Sequence, residues 1–220
     1  MKKAIAVILA VSLVFCLTGC VKLHSKSEVK QYVRSFPNAK VTSVEVVEPD
    51  THLRYICSNG NFTFTVDNVV YRVTNTDIPF NKEGFSTTYL SDLKAYLADD
   101  VNAIYAKYRA NGLEFEDQVL TEQWGYEITI DDYDDIEQAF GLFKDTLALI
   151  RDYAASSQNE LVDNCVFRMY INQNAKEGYG LDYYRRQEVP FVGSEIDTYL
   201  SNIIVKTAEA QAQYESRGLK

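Results

Sequence analysis

Residues 41–66 read VTSVEVVEPDTHLRYICSNGNFTFTV, and this stretch decides the fold. Val41 to Glu48 is a β-branched run closed by Pro49-Asp50, and His52 to Cys57 follows with Leu53, Tyr55 and Cys57 at alternate positions. Ser58-Asn59-Gly60-Asn61 then supplies an Asn-Gly pair, the strongest short hairpin signal, because both residues tolerate the positive φ that a tight turn demands. Phe62, Phe64 and Val66 alternate with Thr63 and Thr65. Such a segment has one apolar and one wet face, the pattern of an antiparallel meander. Asp67-Asn68 is expected to turn the chain into a fourth strand, Val69 to Thr74.

Upstream, Ser25 and Glu28 form a capping box for a helix whose face is Val29, Tyr32, Val33 and Phe36, stopped by Pro37. Downstream, a loop from Asn75 to Gly84 contains Pro79 and leads into the longest helix. Its stripe is Leu90, Leu93, Leu97, Val101, Ile104 and Tyr108, and Asn111-Gly112 closes it as a left-handed cap. Trp124, Tyr126, Ile128 and Ile130 alternate as a strand. Asp134 and Glu137 start a second long helix with Ile136, Phe140, Phe143, Leu147, Ile150 and Ala154 along one side. Asn164 to Gln173 is a further strand, and Gly178 to Arg186 is its expected partner. Ser194 and Asp197 cap a last helix facing inward through Ile196, Leu200, Ile203, Ile204 and Ala208, with a polar tail expected to fray.

Helices and strands do not alternate strictly, which argues against a parallel α/β array. The expected class is α+β: curved antiparallel sheet with amphipathic helices packed on one face. Residues 25–215 are expected to form one compact unit, or two packed halves at about 25–112 and 113–215. Residues 25–75 resemble the helix-plus-meander modules of cystatin-like and PepSY-like secreted domains, on the run Phe36-Pro-Asn-Ala-Lys-Val-Thr-Ser-Val-Glu45 after a helix. The resemblance implies a shape and carries no chemistry.

The first twenty residues concern address. Lys2 and Lys3 precede an apolar run, Ala4 to Thr18, which is short for a membrane span and ends in Leu17-Thr18-Gly19-Cys20. This looks like a bacterial lipoprotein signal peptide with its lipobox. The resemblance implies removal of residues 1–19, a diacylglyceryl group on Cys20, a short stem over residues 20–24 and attachment to the extracytoplasmic face of the cell membrane. Two acyl chains anchor stably where one does so only marginally.

The formal charge of −9 becomes −11 once Lys2 and Lys3 are removed. Residues 21–40 carry Lys22, Lys26, Lys30, Arg34 and Lys40 against Glu28, leaving the strongly acidic remainder unsuited to nucleic acid. The basic stem suits anionic headgroups as well as it suits an ordinary solvated helix face. Of four cysteines, Cys57 and Cys165 remain once Cys16 leaves and Cys20 is acylated. Both sit in strand-like runs, either disulfide-bonded or as two buried thiols.

Catalytic constellations are not visible in the chain. His24 and His52 are the two histidines, and neither has a partner at ligand spacing, so no metal or other cofactor is expected. Asp131-Asp132-Tyr133-Asp134-Asp135 lacks the glycine and glutamate of a calcium loop and reads as an acidic helix start. Among sixteen tyrosines, Tyr179, Tyr183 and Tyr184 precede Arg185 and Arg186. These side chains anchor protein interfaces, stack on wall sugars, or cover the rim of a core. The expectation is a non-enzymatic surface lipoprotein that binds a protein or wall component. The alternatives are an immunity-type protein masking a secreted toxin or hydrolase, and a wall-glycan enzyme using dispersed carboxylates.

Overall fold

In this computed structural model, residues 26–34, 40–48, 52–69, 85–120, 122–157, 165–173 and 182–216 are described. The alternating segments pair into two four-stranded sheets, and the helices form one buried core with them, an α+β fold. The first half runs α1 (Lys26–Arg34), β1 (Lys40–Glu48), β2 (His52–Ser58), β3 (Thr63–Val69), β4 (Phe85–Thr87), α2 (Tyr89–Tyr96) and α3 (Ala98–Ala110). The second runs β5 (Glu114–Val119), β6 (Gln123–Ile130), α4 (Tyr133–Ser157), β7 (Val166–Gln173), β8 (Asp182–Pro190), α5 (Gly193–Ser201) and α6 (Ile203–Ser216).

The first sheet is an antiparallel meander in the order β1-β2-β3-β4. Its β2–β3 turn follows the Asn-Gly signal: Gly60 has φ +90°, and Asn59 Oδ1 accepts the N–H groups of Asn61 and Phe62, both at 3.0 Å. Asp67-Asn68, expected as a turn, lies within β3. Asp67 stands opposite Arg54 and receives its guanidinium at 2.8 and 3.3 Å, a cross-strand pair that outweighs turn propensity. The fourth strand of this sheet is Phe85–Thr87 rather than Val69–Thr74, of which residues 70–74 lie outside the described residues. Tyr55, Cys57, Phe64 and Val66 face the core, where α1 adds Val29 and Val33 and α2 adds Tyr89, Leu90 and Leu93.

The second sheet has the order β5-β6-β7-β8, with β6 and β7 parallel and the outer pairs antiparallel. The parallel pair departs from the all-antiparallel expectation for a simple reason. The 25-residue helix α4 joins β6 to β7, and a long helical crossover returns the chain to the same end of the sheet. The α4 stripe Ile136, Phe140, Phe143, Leu147, Ile150 and Ala154 is buried throughout. It packs over Trp124, Tyr126 and Ile128 of β6 and Phe167, Met169 and Ile171 of β7. Phe167 stacks on Phe191 with centroids 4.0 Å apart.

Three helix starts and stops differ from the sequence-based expectation. The stripe from Leu90 to Tyr108 crosses a break at Leu97, where Asp99 and Asp100 open a new first turn. The cap of α4 is Asp132 with Asp135, not Asp134 with Glu137. Asp132 Oδ1 accepts from the N–H groups of Asp134 and Asp135 at 2.9 and 3.2 Å, and Asp135 Oδ2 accepts from those of Asp131 and Asp132 at 2.9 and 3.3 Å. Ser194 lies inside α5, capped at Val192, and the helix expected beyond it is two, broken at Asn202. There Asn202 Nδ2 donates to the Thr198 carbonyl at 2.9 Å. The buried face continues across the break through Ile196, Tyr199, Ile203, Ala210 and Tyr214, whereas Ile204 and Ala208, expected to face inward, are exposed. Helix α6 continues through the polar tail to Ser216, and Tyr214 packs there on Tyr133 at a centroid separation of 6.4 Å.

Candidate functional site

Two surfaces are built by these elements. The first is the face of the second sheet opposite α4. Strand alternation puts Glu114, Glu116 and Gln118 of β5 outward, beside Glu127 of β6, Arg168 and Tyr170 of β7, and Arg186 and Glu188 of β8. Their polar groups run in two ladders across the strands. Glu127 accepts from Asn172 Nδ2 at 2.9 Å and from Gln118 Nε2 at 3.4 Å. Arg168 donates to Gln123 Oε1 at 2.6 Å and to Glu188 at 3.4 Å, and Arg186 donates to the other Glu188 oxygen at 2.5 Å. Burial pushes the Glu188 carboxyl up, but the Arg186 and Arg168 guanidiniums outweigh it and hold the group below its ordinary value. Gly125 is what lets Arg168 lie across β6. A Cβ there would meet Gln123 Nε2 at 3.1 Å and the Arg168 carbonyl at 3.2 Å.

At the β5 end, a depression of about 790 Å³ is lined by Arg109, Phe115, Glu114, Glu116 and Glu127. Arg109 caps the Phe115 ring at 4.8 Å. Glu116 and Glu127 are paired across the strands, so two carboxylates stand side by side at this depression. Glu116 is exposed to solvent, and Glu127 is bound to two amide donors.

The second surface is a groove of about 600 Å³ between α4 and α6. Phe140 and Ile203 form its floor, Gly141 and Ala208 narrow its walls, and Tyr108 of α3 closes one end. Ile204 stands at its lip, 81% exposed. Asp134 and Glu137 rim one end and Lys144 the other. Tyr108 is fixed there by its hydroxyl donating to Asp145 Oδ2 at 2.9 Å, with Lys107 donating to the same oxygen at 2.7 Å.

Comparison of the chain with protein-family models, curated proteins and solved structures yields no match.

The sequence-derived candidates fall differently. Cys20, His24 and Tyr179 lie outside the described residues. Tyr183, Tyr184 and Arg185 lie on β8, where Tyr183 pairs with Asn172, Arg185 with Ile171, and Tyr184 is skipped at a bulge. Arg186 is exposed, 5.7 Å over the Tyr170 ring. Thus residues 183–186 of the Tyr-Arg run lie on the outermost described strand of the second sheet, with Arg186 on its open face. Cys57 and Cys165 are both buried and carry free thiols, raised by desolvation to about 11 and about 12. Among the described residues, no His, Cys, Asp or Glu side chains gather in threes as a metal set. Likewise, no described helix is long and apolar enough to cross a membrane.

The α4–α6 groove was not expected from the sequence, although a signal exists. Ile203-Ile204-Val205 spans about 200° of a helix at 100° per residue, so the three cannot share one face. One of them had to point away from the core.

Proposed function

We propose that the chain is a lipid-anchored, non-enzymatic binding module on the outer face of a membrane. The address rests on the sequence: a cationic head, a short apolar run and Leu17-Thr18-Gly19-Cys20. The binding half is carried by one observation, the open α4–α6 groove with Ile204 exposed at its lip. An exposed aliphatic at the lip of a groove with an apolar floor is the kind of surface that a partner covers. An acidic body on a lipid tether keeps the domain in solution near the membrane, free to meet a partner there.

Two measurements test the two halves. Cys20→Ala should move the protein from the membrane fraction to the medium or soluble fraction, and a variant that stays in the membrane overturns the anchor. For binding, a photo-crosslinking residue placed at Thr207 should trap a discrete partner in intact cells. An uncross-linked chain under conditions where the protein is abundant counts against a binding role for this face.

A further inference from the structure

We infer that the α4–α6 groove receives an amphipathic helix of another protein, seated antiparallel to α4 with a cationic last turn against the α4 start. The inference rests on the binding-module proposal and names its ligand.

The shape argument is helical. Glu137, Gly141 and Lys144 are spaced by four and three along α4, and Ile204 and Ala208 by four along α6, so each wall is a single helical ridge. From Asp134 to Lys144 the wall runs about 15 Å, three turns at 1.5 Å per residue. Ala208 is small and exposed on the α6 wall, which favours close approach of a third helix. A helix entering such a groove reads it through apolar residues at i, i+3, i+4 and i+7, for which Ile204 and the Phe140 floor are the receiving surface.

The charge argument fixes the orientation. Residues 131–143 hold five acids, Asp131, Asp132, Asp134, Asp135 and Glu137, and no base. Asp132 and Asp135 cap the helix, but Asp134 and Glu137 are exposed on the groove rim. Lys144 is exposed at the far end. The groove is therefore bipolar. A ligand helix carries cations best in its last turn and acids best in its first. Both preferences are met only when that last turn lies at Asp134 and Glu137, which is the antiparallel arrangement. An anionic membrane surface would meet the acidic end unfavourably and is not the occupant.

The test uses the full chain and two synthetic probes. One is a fluorescein-labelled 14-residue Leu/Ala helix with leucines at i, i+3, i+4 and i+7 and three lysines in its last turn. The other is identical except for glutamates in place of the lysines. Saturable anisotropy binding is expected for the lysine probe, at least tenfold tighter than for the glutamate probe. Ile204→Glu, at an exposed site and thus neutral to folding, should weaken the lysine probe at least tenfold. Asp134→Lys with Glu137→Lys should abolish or reverse the preference between probes. Unchanged melting temperatures verify that these variants fold. Absence of saturable binding, or equal binding by wild type and Ile204→Glu, overturns the inference. So does a reversible dimer in sedimentation that Ile204→Glu dissolves, since a second copy is then the occupant. A partner cross-linked in cells whose capture is indifferent to Ile204→Glu would sink the helix-in-groove inference and leave the binding-module proposal standing.

Discussion

The side-chain amide of Asn59 donates to the hydroxyl of Tyr153 at 3.2 Å, tying the β2–β3 turn of the first sheet to α4 of the second half. Asn61 Nδ2 reaches the same oxygen at 3.3 Å, and Tyr96 meets the Tyr153 ring edge-on at 5.9 Å. Asn59 is 4% exposed, so its amide has little access to water if the hydroxyl is removed. Tyr153→Phe should therefore destabilise the protein by about 1–3 kcal/mol, the usual cost of orphaning buried polar groups. For a chain of this size that is a fall of several degrees in melting temperature. A variant melting within a degree of wild type would show that this joint contributes nothing to stability.

A glycine inside a long helix usually costs about 1 kcal/mol relative to alanine. Gly141 of α4 reverses that expectation. A Cβ on it would lie 2.7 Å from the Tyr108 hydroxyl and 3.1 Å from the ring. Tyr108 cannot easily retreat, because Asp145 holds its hydroxyl. Gly141→Ala is thus expected to lower stability by about 1–2 kcal/mol, as overpacking does. In a Tyr108→Ala background the same change should become stabilising. A double-mutant cycle measured by chemical denaturation reads this sign change, and additive effects would remove the steric account.

How far the sequence carried the fold follows from which features are local. The Asn59-Gly60 turn, the alternation of Phe64 with Val66 and the α4 stripe are written in nearest neighbours, and all stand in the structure. The direction of pairing is not local. Ile128 and Ile171 face the core whether β6 and β7 run together or opposed, so alternation could not reveal the parallel pair. Asp67 reads as a turn residue until Arg54 is placed opposite it across the sheet. The groove is likewise not local: Ile204 and Ala208 sit on the shoulder of the face formed by Ile196, Tyr199, Ile203, Ala210 and Tyr214, and only the packing of that face shows that they are left outside. Of the proposed Tyr-Arg run, Arg186 is the member whose side chain is seen on the open face, beside Arg168, which the sequence did not single out.

Cys57 and Cys165 lie at 0% and 1% exposure on core-facing strand positions, and burial raises both thiols. A thiolate is the reactive form, and neither group supplies it at neutral pH. With Cys20 acylated as proposed, the native protein should react with a maleimide reagent hardly at all over an hour at pH 7.5. It should take up two equivalents once unfolded in guanidinium. Prompt labelling of the native protein would place at least one thiol at the surface, and failure to label after unfolding without reductant would show the two joined.

Tyr105, Tyr126 and Thr146 form a hydrogen-bonded chain through the core, at 3.2 Å between the phenols and 2.9 Å on to the threonine hydroxyl. Asp117 accepts from Tyr105 at 3.3 Å and also pairs with Lys94. Burial raises Tyr105 to about 12 and Tyr126 further, so the folded state holds both phenols neutral. A group whose folded pKa is raised stabilises fully below its unfolded pKa and loses that contribution as pH climbs toward the folded one. Taking the ordinary tyrosine value of 10.0, stability should decline from about pH 10 upward, preceded from about pH 9 by a smaller loss from the two thiols. Each proton released on unfolding contributes about 1.4 kcal/mol per pH unit. Tyrosinate absorbance should rise together with loss of near-ultraviolet circular dichroism rather than before it. Tyr126→Phe should cost about 1–2 kcal/mol at pH 7 and less at pH 11, because the variant has one phenol fewer to ionise on unfolding. Equal costs at both pH values would mean that Tyr126 ionises freely in the folded protein and that the chain of hydroxyls is not sealed from solvent.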